Sequence, residues 1–248
     1  MADSRQNTSE EYKRELLKAL EFLKSKTTTL ERARSKFGVI YMALKNYDRR
    51  QNWELYPDVE FDLSTSKDPH QNILFDNNRA CLRIYGEIKA KNGKVLCHKI
   101  QMEVIYRNRY SDIQLCSCCI KNGTDVTDRV VRKFHFDFEA GTILSDHPVY
   151  HLQYGGERHP DVGVKVHYCL EPKLKLPRIP AIPFSFLSIL DLGMKEFAIC
   201  KEITEDAFWK SVVKESETTL ALPFIDKLNK EINNKSGTIR EIYVTTQL

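Results

Sequence analysis

The sequence predicts an α+β fold: a mostly antiparallel sheet of about six strands, with an N-terminal helical hairpin and C-terminal helices packed on one face. Three observations lead there. Apolar residues recur at helical spacing in the first 46 residues and again after residue 184, whereas between residues 80 and 170 they alternate with polar ones, the period of a strand. Helix-like and strand-like stretches are thus segregated, which favours α+β over alternating β-α-β units. A chain of 248 residues with 42% hydrophobic content has material for one core. It reads as a single domain, 1–248, made of a helical hairpin (1–46), an antiparallel sheet (80–170) and C-terminal helices (184–235).

The first helix is expected from Ser9 as N-cap, with Glu10 and Glu11 in the first turn and Tyr12, Leu16, Leu20 and Leu23 on one face. A second begins near Thr28 or Thr29, with Leu30, Ala33, Phe37, Ile40, Tyr41 and Leu44 as its apolar stripe. Val59 to Leu63 alternates and reads as a short strand; Ser64 to Asn78 reads as loop. Leu82, Ile84 and Ile88 then alternate with Arg83, Tyr85, Glu87 and Lys89. Asn92-Gly93 supplies the turn of a hairpin whose return strand runs from Lys94 to about Arg107. Further strands are expected at Ile113 to Ile120, Val130 to Phe138, Val149 to Tyr154 and Val162 to Leu170. Pro172, Pro177, Pro180 and Pro183 mark an extended linker. Phe184 to Ala198 is apolar nearly all round and reads as a buried helix. Thr204 starts another, which Pro223 should break or kink, and Ile239 to Val244 suggests a last strand.

No apolar run approaches the roughly 20 residues of a membrane span, and the N-terminus lacks a signal-peptide core. Seven cysteines, an odd number without framework spacing, suit free thiols in a reducing compartment. The chain is therefore expected to be cytoplasmic, with no membrane association. A net charge of +4 permits nucleic acid as a partner without requiring it.

The candidate site is the polar side of the last three strands. Lys133, His135 and Asp137 share one face of their strand, opposite Phe134, Phe136 and Phe138. His151 and Gln153 oppose Tyr150, Leu152 and Tyr154, and Lys165 and His167 oppose Val164, Val166 and Tyr168. If neighbouring strands pair antiparallel, these polar residues join into one surface, left open or in a cleft. Three readings compete: a face that is polar because water touches it; imidazoles acting as general acid and base beside a cation, as a metal-independent ribonuclease needs; or a metal held by His135, Asp137, His151 and His167. The loop Gly155-Gly156-Glu157-Arg158-His159 adds candidate binding residues and a second cation, Arg158. No cofactor is called for by a motif. Zinc is the alternative, through Cys97, His98, Cys116 and Cys119, although Cys116 and Cys119 point to opposite faces of a regular strand. Buried thiols explain those cysteines as well. Arg107, Arg109, Arg129, Arg132 and Lys133 with Tyr106 and Tyr110 would suit nucleic-acid binding without chemistry.

His147-Pro148, His151-Leu152, the glycine pair and Leu176-Pro177-Arg178-Ile179-Pro180 ahead of a helix resemble a pattern in uncharacterised bacterial proteins found among phage-defence and toxin–antitoxin type genes. The resemblance covers about 50 residues and implies a bacterial cytoplasmic protein that works with a protein partner. Two functions follow as expectations: an interaction module of a multi-protein defence-like system, or a nuclease-like hydrolase using His135, His151 and His167 with Lys165 or Arg158.

Overall fold

The computed structural model describes residues 8–26, 31–47, 52–63, 80–107, 128–139, 150–154, 166–168 and 178–234. Helices α1 (Thr8–Ser25) and α2 (Glu31–Asn46) come first. Eight strands follow: β1 (Trp53–Leu55), β2 (Asp58–Asp62), β3 (Ala80–Lys91), β4 (Lys94–Arg107), β5 (Asp128–Glu139), β6 (Tyr150–Tyr154), β7 (Val166–Tyr168) and β8 (Arg178–Pro180). Helices α3 (Phe186–Glu196), α4 (Lys201–Thr204) and α5 (Ala207–Asn234) close the described chain. The fold is α+β, as the segregated periodicities predict.

The sheet has a six-strand path, β1-β3-β4-β5-β6-β8, with β2 added beside β3 and β7 beside β5. Every pairing is antiparallel except β5 with β7, which is parallel. The β3–β4 hairpin turns at Asn92 and Gly93, both at positive φ, the conformation that an Asn-Gly pair tolerates. Both edges of β4 are occupied, by β3 and by β5. The strand expected at Ile113 to Ile120 lies outside the described residues. One register shift falls between Val104 and Ile105, where Val131 has no partner opposite, so Val130 moves to the face of Ile105 and joins Cys81 and Ile105 in a small apolar cluster.

Helices cover one face of the sheet. Leu82, Ile84, Ile88, Ile100, Met102, Val104 and Phe136 pack with α1 through Tyr12, Leu16 and Leu20, with α3 through Phe186, Ile189 and Leu190, and with α5 through Trp209 and Val212. Phe37 of α2 meets Phe61 of β2 on the same side. Polar bonds fix this layer. The Phe186 N–H donates to the Tyr12 hydroxyl at 2.9 Å, and that hydroxyl shares a second hydrogen bond with His98 Nε2, 3.1 Å away. Burial pushes the Tyr12 phenol well above its ordinary pKa and the His98 imidazole down to about 4, so His98 stays neutral.

The helix ends differ in detail from expectation. Helix α1 starts at Thr8, and the Ser9 N–H donates to Gly93 O at the hairpin turn, docking helix on sheet. Ser185 caps α3, its hydroxyl accepting from Ser188 N at 3.0 Å and meeting Ser216 Oγ at 2.8 Å. The cap of α5 is Asp206 and not Thr204: its Oδ1 accepts from Phe208 N and Trp209 N. Pro223 does not end α5, which continues to Asn234; the helix forgoes the one bond that a proline N–H cannot donate. Arg178–Pro180, expected as linker, is strand β8, at the sheet edge where a proline in a ladder is tolerated. No helix among the described residues is long and apolar enough to cross a membrane.

Candidate functional site

On the other face of the sheet, successive polar positions on β3, β4, β5 and β6 fall into register. One cross-strand row is Tyr85, Gln101, His135, Gln153. A second is Glu87, Lys99, Asp137, His151, and a third is Arg83, Glu103, Lys133. The alternation of each strand puts these residues on one side, and the hairpin register aligns them. The sequence predicts this face as open to water or lining a cleft. It is instead buried: Arg83, Tyr85, Gln101, Glu103, Lys133, His135, His151 and Gln153 are all largely withdrawn from solvent.

Burial obliges these groups to find partners. Arg83 forms a two-pronged pair with Asp58, Nε to Oδ1 and Nη2 to Oδ2 both at 2.8 Å, and its guanidinium lies 4.7 Å from the Tyr85 ring centre. The Tyr85 hydroxyl stands 2.6 Å from Gln101 Oε1 and 2.7 Å from Glu103 Oε1. A single phenol proton serves one of these two acceptors at a time. Lys133 Nζ lies 3.3 Å from Glu103 Oε1, with side chains only 2% and 3% exposed. Lys133 is therefore neutralised in place and is not the loose cation that the sequence suggests.

The centre of the face is a carboxylate between two imidazoles. Asp137 Oδ2 lies 3.5 Å from His135 Nδ1 and 3.8 Å from His151 Nε2. The imidazoles are 7% and 4% exposed and the carboxylate 22%, so solvent reaches the group through Asp137. The far nitrogen of His135, Nε2, is buried with no hydrogen-bond partner among the described residues, as is Asp137 Oδ1.

His167 does not join this centre by strand pairing. Strand β7 runs parallel to β5 and sets His167 beside Arg129, six residues from His135 and so about 20 Å along the strand. The expectation assumed that β7 would follow β6 in the sheet; β8 takes that edge. Lys165, Arg158, Gly155, Gly156, Glu157 and His159 lie outside the described residues. The zinc reading loses its geometry at two of its four ligands. Neighbours on a strand face opposite ways, so His98 enters the helix-covered core, whereas Cys97 sits on the polar side and donates its thiol proton to Glu87 at 3.2 Å. Cys116 and Cys119 lie outside the described residues. Among the described residues no cluster of three or more His, Cys, Asp or Glu is arranged to hold a metal ion.

Sequence reasoning missed Arg83, Tyr85, Gln101 and Glu103. Their signal was present: the alternation that marks Lys133, His135 and Asp137 runs equally through Arg83-Tyr85-Glu87 and Lys99-Gln101-Glu103. No family model matches the chain, and neither a curated protein nor a solved structure matches it.

Proposed function

We propose that this protein is an acid–base hydrolase of the nuclease-like kind, centred on His135, Asp137 and His151. One observation carries the reading: His135 Nδ1 faces Asp137 Oδ2 at 3.5 Å while its Nε2 is buried without a partner among the described residues. A general base needs that division of labour, with a carboxylate fixing the tautomer and orientation of the ring and the second nitrogen available to take a proton. A buried imidazole nitrogen with no partner is costly to keep for stability alone.

His151 Nε2 lies 3.8 Å from the same carboxylate oxygen, so the reading gives the two imidazoles the roles of base and acid. In a phosphodiester transfer the base removes the proton of the attacking hydroxyl, and the acid supplies one to the leaving oxygen. Asp137 stabilises whichever imidazolium is present. The expected setting is the cytoplasm of a bacterium, with a protein partner; the free thiols of Cys81, Cys97 and Cys200 suit a reducing compartment.

The test is cleavage of labelled single-stranded RNA and DNA in chelator, comparing the natural protein with His135→Asn and His151→Asn. The expected outcome is metal-independent cleavage that each substitution slows by about 10²-fold or more while circular dichroism stays unchanged. If the natural protein cuts neither polymer, or the variants cut as fast, the reading fails. A variant that is inert in such assays yet keeps its cellular phenotype points instead to an interaction module without chemistry.

A further inference from the structure

Helix α2 carries apolar residues on two sides, and the fold uses one of them. Ala33, Phe37, Ile40 and Leu44 face inward, where α2 meets α1, β1 and β2. On the outward side Val39 is 66% exposed and Met42, one turn on, is 50% exposed. Ala43 and Asn46 continue that side and are exposed as well. A helix that met only water there would carry charged and polar residues at those positions.

Gly38 points the same way. It lies inside α2, where glycine weakens a helix relative to alanine. A Cβ at this position would meet nothing within 4 Å, whereas one at Gly86 or Gly193 would run into a neighbouring strand. The fold therefore does not need a glycine at residue 38. What the bare backbone permits is close approach from outside. Met42 stands one turn further along the same helix flank, so the gap lies beside the apolar pair.

The charges around this side are of one sign. Lys36 and Lys45 are exposed. The ammonium groups of Lys24 on α1 and of Lys45 lie 4.1 and 5.4 Å from the centre of the Tyr41 ring. Within α2 the cations Arg32, Arg34, Lys36 and Lys45 stand against one acid, Glu31. A second copy of this chain is a poor occupant, because two α2 helices laid together in either direction bring cations against cations. A nucleic acid would meet the lysines but leave Val39 and Met42 unused.

We propose that the outer side of α2 docks an acidic amphipathic helix of a partner protein. The partner's apolar ridge lies on Val39 and Met42, its backbone comes close at Gly38, and its carboxylates face Lys36 and Lys45. This surface is independent of the imidazole centre and stands whether or not that centre is catalytic.

The four methionines of the chain supply the readout. Met42 is exposed, whereas Met102 and Met194 are buried and should not respond. The experiment follows the methyl signals of the full-length protein, isotope-labelled at methionine, by NMR, with Met42 assigned through Met42→Leu. One probe is a synthetic amphipathic peptide of about 20 residues made of leucine, alanine and glutamate. The others are the same peptide with lysine for glutamate, and phosphatidylglycerol vesicles. The expected result is a saturable shift of the Met42 signal with the acidic peptide, half complete at about 0.1 mM. Lys36→Glu with Lys45→Glu should weaken that binding by about tenfold and admit the lysine peptide. Gly38→Ala should raise the melting temperature yet weaken peptide binding by about tenfold; a merely solvated helix side would show the first effect without the second. No shift with the acidic peptide, or an equal shift with the lysine peptide or the vesicles, overturns the proposal. A Met42 signal that moves with protein concentration alone also overturns it, in favour of a second copy.

Discussion

Lys133 and Glu103 show how much the polar face demands of single residues. Two opposite charges so withdrawn from water stand at 3.3 Å, and their mutual attraction must offset the loss of hydration of both. Such a pair contributes little net stability, but either partner left alone is costly. Glu103→Gln keeps the shape and removes the charge, so it takes from buried Lys133 the carboxylate it faces. The expected loss is about 3 kcal/mol or more in urea unfolding. Replacing both, as Lys133→Met with Glu103→Leu, should recover most of that loss, and losses that simply add would show that the two do not act as a pair. The same reasoning applies to His135. Its Nε2, without a partner among the described residues, is a local cost that a ligand or a reacting proton would relieve.

At the scale of elements, two glycines that look alike in sequence have opposite constraints. A Cβ at Gly86 of β3 would overlap the Lys99 carbonyl of β4, which is backbone and cannot move aside. Gly86 also donates its N–H to Pro57 O at 2.9 Å, fixing the entry into β2. Gly193 of α3 would place a Cβ 2.9 Å from Leu82 Cδ2 and 3.1 Å from Ile84 Cδ1, the movable ends of side chains. Gly86→Ala should therefore cost about 3 kcal/mol or more. Gly193→Ala should fall near zero, because a helix propensity gain of about 1 kcal/mol offsets the repacking. Matched thermal melts of the two variants check this, and equal losses would contradict it. The elements also mark where sequence reading is strong. Asn92-Gly93 fixed the hairpin and its register, since only a tight turn suits that pair. Trp53–Leu55 spans three residues, too short for a period to emerge. Val166–Tyr168 lies within the alternation of Val162 to Leu170, which marks the strand but not its parallel pairing with β5.

Across the whole molecule, one sheet presents an apolar side to the helices and a polar side that is also buried. Alternation revealed both sides, because it depends only on the strand period. It could not reveal that the polar side is largely buried, because Asp58 meets Arg83 and Glu103 meets Lys133 only once distant strands are in register. The layer beneath the helices has its own titration. His98 stays neutral in the fold, its pKa lowered to about 4 by burial, with the Asp137 charge pulling weakly the other way. The unfolded chain binds that proton near the ordinary value of 6.5. Protons therefore favour the unfolded state between these values. This contribution to stability is complete above about pH 6.5 and declines as the pH falls toward about 4, by about 3 kcal/mol in all. In His98→Gln, which keeps an acceptor for Tyr12, the acid sensitivity of the urea midpoint should shrink by that amount. An unchanged pH profile would mean that His98 is not the buried neutral group the structure shows.

The most direct test of the imidazole–carboxylate centre is a double-mutant cycle on the nucleolytic rate, with His135→Asn, Asp137→Asn and both together. A base and the carboxylate that orients it act as one unit, so each single variant should lose about 10²-fold or more and the double variant hardly further. Losses that multiply in the double variant, or single variants that cleave as fast as the natural protein, would contradict a catalytic unit built from His135 and Asp137.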